Sequence, residues 1–131
     1  HSDLRRQRQM CIRDSDSIIE FLQKKQEQKV ILSYPYHAVG YYRIMLETKH
    51  KVICADLDRE QGTRSKNNWY DNKYPYVNLN VLDRIHNKLG LDIVIIDNKE
   101  LESIRSEWRP SSLWKKNKIG DPFFSIYELN E

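Results

Sequence analysis

Three short apolar runs constrain this chain more than any other feature: VILS at 30–33, VICA at 52–55 and IVII at 93–96. Each is too short for a helix, rich in β-branched residues and closed by Pro or Asp, which is the signature of a strand. None alternates between apolar and polar positions, so each reads as a strand covered on both faces. Between and around them stand segments of helical period. Ser17-Ile-Ile-Glu20 reads as a capping box, and Ile18, Ile19, Phe21 and Leu22 follow it as an apolar face, with the polar run QKKQEQ as a solvated end. Residues 38–48 place Val39, Tyr42, Met45 and Leu46 at helical spacing. Asn80 stands as the cap of VLDRIHNKL, with Val81, Leu82, Ile85 and Leu89 on one face and Gly90 at the C′ position. A last helix runs from Asn98 through Leu101, Ile104 and Trp108 to Arg109-Pro110, and FFSIYEL at 123–129 forms a final strand.

Strands that alternate with helices imply right-handed crossovers and a sheet with helices on both faces. The expectation is therefore a small Rossmann-like three-layer α/β domain with a mostly parallel sheet of about four strands, FFSIYEL joining antiparallel at an edge. At 131 residues the chain has room for one such domain. No window reaches the roughly 18–20 consecutive apolar residues of a membrane-spanning helix.

Charge needs dissection before it is used. Of 22 basic and 19 acidic side chains, residues 1–15 hold Arg5, Arg6, Arg8 and Arg13 against Asp3 and Asp14, leaving 18 basic and 17 acidic in the rest. Most of the net +3 thus belongs to the leader, and no nucleic-acid partner is expected from it. The leader follows neither a helical nor a strand period, and its RQRQMCIRDS resembles translated sequencing-adapter read-through. Residues 1–15 are expected to be non-native or disordered, the alternative being a basic arm for phosphate or anionic lipid. Cys54, inside an apolar run, reads as a small buried hydrophobe.

In open α/β sheets, ligands gather outside the carboxyl ends of the strands. Here those ends bear Tyr34, Pro35, Tyr36 and His37, then Asp56 and Asp58, then Asp97, Asn98 and Lys99. Polar turn and capping residues occupy such positions in most α/β proteins, so the alternative reading is purely structural. A dinucleotide would need a Gly-rich turn after the first strand, where SYPYHAVGYY stands instead, so no nicotinamide or flavin cofactor is expected. A P-loop is absent from the sequence. VICADLD resembles the acidic strand end of haloacid-dehalogenase phosphatases, but Glu60 occupies the position of their small hydroxylated residue and would repel phosphate. Asp97-Asn98-Lys99 matches the D-x-K tail of a nuclease metal site, with Asp83 as partner acid; a strand end and helix cap, with Asp83 in a first helical turn, is the simpler account. The four histidines have no metal-ligand spacing, and there is no GxSxG. Lys115, Lys116 and Lys118 read as a solvated loop. Residues 59–80 form a long polar loop in which Trp69 either anchors the loop to the core or offers a stacking face to a sugar-like or headgroup partner.

One resemblance covers nearly all of residues 16–131. IIEFLQKKQEQKVILSYP, then Tyr42-Arg43, KVICADLD, Asn68-Trp69-Tyr70, VLDRIHNKLGLDIVIIDNKEL and IGDPFFSIYELNE follow one another in the order of an extracytoplasmic C-terminal α/β domain. That domain recurs in polytopic bacterial membrane proteins related to GT-C glycosyltransferases, many of them uncharacterised. LGLDIVIID and FFSIYEL are the most similar parts. The resemblance implies that residues 16–131 are a fragment of a larger membrane protein, attached to the membrane on its extracytoplasmic side. The domain's implied role is non-catalytic: to pack over the membrane portion of its parent chain or help hold a glycan or lipid-linked substrate. The parent's catalytic acids would lie in membrane loops, and none is matched here. His37, Arg43 and Trp69, with Asp56 and Asp58, are the candidate binding residues. A stand-alone cytoplasmic Rossmann-like enzyme or nucleotide-binding protein acting at the strand carboxyl ends is the alternative.

Overall fold

The computed structural model describes residues 16–34, 41–53, 69, 77–104, 109–117 and 123–130. The expectations for residues 1–15, His37, Cys54, Asp56, Asp58, Trp108 and Lys118 lie outside them. The chain is helical over 16–23 (α1), then forms β1 (Val30–Tyr34), α2 (Tyr41–Glu47) and β2 (Lys51–Val52). A 3-10 turn at Leu79–Val81 leads into α3 (Leu82–Leu89) and β3 (Ile93–Asp97). After these come α4 (Asn98–Ile104), β4 (Trp114–Lys116) and β5 (Phe124–Leu129).

The strands form one five-stranded sheet in the order β2-β1-β3-β5-β4. β1 pairs in parallel with β2 and β3, with Ile31 opposite both Val52 and Ile93. β5 runs antiparallel to β3, Ile95 facing Ile126, and antiparallel to β4, Trp114 facing Leu129. The fold is thus α/β, but the sheet is mixed and has five strands, correcting the expectation of a mostly parallel sheet of about four. β5 is antiparallel as expected, yet it is internal, because β4 takes the edge. Trp-Lys-Lys is too short to show a strand period. Lys115 and Lys116 keep exposed side chains on an edge whose backbone is strand, a placement that discourages further strand addition.

Successive residues of a strand point to opposite faces, and both faces are packed. Ile31, Ile93, Ile95, Phe124 and Ile126 form one core with Ile18, Ile19 and Leu22 of α1 and Ile44 of α2. On the other face, Leu32, Tyr34, Val94 and Ile96 pack with Leu82 and Ile85 of α3, Trp69 and Trp114. This double coverage explains the unbroken apolar runs of β1 and β3.

Three local expectations need correction. The helix is already formed at residue 16, so Ser17 lies within α1 and not at its N-cap. α3 has Val81 at its N-cap with no side-chain cap bond; Asn78 caps the preceding 3-10 turn, its side chain accepting the N–H of Asn80 at 3.0 Å, and Asn80 sits in that turn. On α2 the buried residue is Ile44, whereas Met45 and Leu46 are 55% and 82% exposed. Among the described side chains of this helix Ile44 is the buried one, and helical period alone does not select it. Gly90 behaves as read: its φ of 76° is the left-handed C-cap, and its N–H donates to His86 O at 2.8 Å.

Candidate functional site

At the carboxyl end of β3, Asp97, Asn98 and Ser125 are engaged in building the fold, whereas the buried Ser33 hydroxyl near the end of β1 has no hydrogen-bond partner among the described residues. Asp97 Oδ1 accepts the Lys99 N–H at 3.0 Å, capping α4 from the last residue of β3. Ser125 Oγ donates to Asn98 Oδ1 at 2.7 Å, tying β5 to the same junction. Asp83 Oδ1 accepts from Trp114 Nε1 at 2.8 Å and Ser111 Oγ at 2.9 Å, holding the edge strand against α3. The Asp83 carboxylate is therefore committed to Trp114 and Ser111. Among the described residues no cluster of three or more His, Cys, Asp and Glu could hold a metal ion.

Arg43 reaches Asp16 and also Glu47, at 2.5 Å, joining α2 to the start of α1. Its hydrogen bond to Glu47 raises the guanidinium pKa further, against a smaller opposing effect of burial. Both carboxylates are substantially solvated, so this link contributes about 1 kcal/mol or less. Trp69 has no exposed surface. It packs in the core on the α3 face, its carbonyl accepts the Asn78 N–H at 2.6 Å, and Arg84 and Lys88 stand 5.4 and 5.9 Å over its ring. One side chain thus anchors this end of the long loop beside α3. The structure does not bring Arg43 and Trp69 together, since the two belong to opposite faces of the sheet.

A charged concavity lies at the opposite edge, where β1 and β3 begin and β5 ends. It is a cleft of about 330 Å³ whose charged walls are Lys25, Lys29, Asp92, Lys115 and Glu128. Ile93 and Leu129 supply its apolar floor. The antiparallel register makes this possible, because Ile93 faces Glu128 and Glu128 faces Lys115.

Each wall is placed by specific bonds. His50 is 4% exposed and spans the α1–β1 connection: its Nδ1 accepts the Lys29 N–H at 2.9 Å. That fixes the neutral tautomer, with Nε2–H donating to Leu22 O at 2.6 Å. Gln23 and Gln28 add bonds to the carbonyls of Glu47 and Lys49. The polar run expected to be a solvated helix end is therefore stitched to the start of β2, which positions Lys25 and Lys29. Asp92 clamps β1 to β3 by accepting the Val30 N–H on Oδ2 at 3.0 Å while its own N–H donates to Val30 O at 2.9 Å. Glu128 is bound by Lys25 at 2.5 Å and by Asn117 Nδ2 at 2.8 Å. Burial pushes the Glu128 carboxyl up, but the hydrogen bonds from Lys25 and Asn117, helped by the charge of Lys115, outweigh it and hold it below the usual range.

Sequence reasoning missed this cleft, apart from noting Lys115 as solvated. Its residues come from four separate segments, and nothing in their spacing announces that they converge. In comparison with family models, curated proteins and solved structures, the chain shows no significant match.

Proposed function

We propose that residues 16–131 form a non-catalytic domain of a polytopic bacterial membrane protein of the GT-C-related kind, on the extracytoplasmic side. In this reading it packs over the membrane portion or helps hold a glycan or lipid-linked substrate. The observation that carries the proposal is where the resemblance falls. LGLDIVIID and FFSIYEL, the segments most similar to those domains, are the directly paired strands β3 and β5 at the centre of the sheet. The likeness thus coincides with one structural unit. The parallel β2-β1-β3 half, with α1 and α2 on one face and α3 on the other, supports a Rossmann-like description of the same domain.

The gene upstream of the codon for residue 16, with fractionation of its full product, tests the proposal. Several hydrophobic spans upstream and a carbonate-resistant membrane pellet are the expected results. A product without such spans, recovered in the soluble fraction, would overturn it and favour a stand-alone enzyme or nucleotide-binding protein. His37, Asp56 and Asp58 would then be the first residues to replace.

A further inference from the structure

We propose that the cleft at the amino edge of the sheet binds a phosphate-type anion, with Lys29 and Lys115 as its principal ligands. The site does not depend on membrane attachment. Three ammonium groups and two carboxylates line the cleft, and the carboxylates already have donors. Glu128 takes Lys25 and Asn117, and Asp92 takes the first amide of β1. Lys25 is thereby neutralised within the wall, whereas Lys29 and Lys115 are not. The nearest carboxylate to Lys29 is Glu27, at 3.9 Å on a side chain 86% exposed, where an ion pair is weak. Lys115 has no carboxylate within ion-pair distance among the described residues. Lys29 and Lys115 therefore face a concave space whose charged lining is three ammonium groups against two carboxylates, an excess of positive charge. A group with several anionic oxygens on one centre can take a hydrogen bond from each, and charge-assisted bonds of this kind are the strong ones.

The site is also rigid on the side that matters. Lys29 immediately precedes β1 and its own N–H is held by buried His50, while Lys115 stands mid-strand in β4 opposite Glu128. Neither backbone must reorganise to admit a ligand, which lowers the entropic cost of binding. Lys116, the next residue, points to the other face of the sheet and carries the same charge, so it is a matched control.

Isothermal titration calorimetry of the full chain with sodium pyrophosphate at low ionic strength tests the proposal, alongside co-sedimentation with phosphatidylglycerol vesicles. The expected result is saturable binding to at least one probe, weakened about tenfold or more in K29Q/K115Q and less than about twofold in K116Q. K115E, at an exposed strand position, serves as a second variant should the double one fold poorly. Pyrophosphate binding assigns a soluble phosphate compound as the source of the anion, and vesicle binding alone assigns a lipid headgroup. Failure to bind either probe overturns the proposal, as does an equal loss in K116Q and in the cleft variants, which would reduce the effect to diffuse charge.

Discussion

Trp69 and Glu128 show how differently two side chains can hold a fold. Trp69 is an aromatic residue in a polar segment, legible from sequence as either an anchor or a displayed ring, and the structure seats it wholly inside the core. Trp69→Ala is expected to lower stability by about 3–5 kcal/mol, a large share of what a domain of this size possesses. Urea denaturation measures it; a loss under about 1 kcal/mol would mean that the ring does not anchor the loop. Glu128 was not legible, because Lys25 lies about a hundred residues away in sequence and only the sheet register unites them. Its carboxyl is held below 4.5, the ordinary value, so the folded state binds its proton more weakly than the unfolded chain. The stability it contributes is complete above the unfolded value and is lost as pH falls through the lower folded one. Wild-type protein should therefore lose more urea resistance between about pH 6 and pH 3 than Glu128→Gln does. Parallel pH profiles for the two proteins would contradict this.

Elements with a strong internal period were readable, and those defined by a partner were not. β1 and β3 declared themselves because burial on both faces demands unbroken apolar runs. α3 did so because its apolar stripe and its left-handed glycine are local features. β4 gave no such signal. Its three residues are strand only because β5 supplies the hydrogen bonds and Asp83 holds Trp114 in place. The burial of Ile44, and not Met45, depends likewise on how α2 meets the sheet. Gly90 offers the sharpest test at this scale. Beyond its chain neighbours, no atom of the described residues lies within 4 Å of a Cβ added there, so Gly90→Ala is penalised by its φ. The expected loss is about 1–2 kcal/mol by thermal or urea melting. A neutral result would show that α3 does not end in the left-handed turn.

At the scale of the molecule, the sheet divides its polar residues between two edges. The strand pattern points to the carboxyl edge, where ligands of open α/β sheets usually gather, and there the described groups Asp97, Asn98 and Ser125 bond to one another and to the backbone. The antiparallel return of β5, expected from FFSIYEL, and the addition of β4 beyond it, which no local pattern encodes, carry Glu128 and Lys115 to the amino edge. The proposed anion site makes this amino edge the binding surface. Amide chemical-shift mapping of the isotopically labelled chain during titration with sodium pyrophosphate tests it most directly. The largest shifts are expected on Lys29, Val30, Asp92, Ile93, Lys115 and Glu128. Shifts concentrated instead on Tyr34 and Asp97–Lys99, with the amino edge silent, would contradict it.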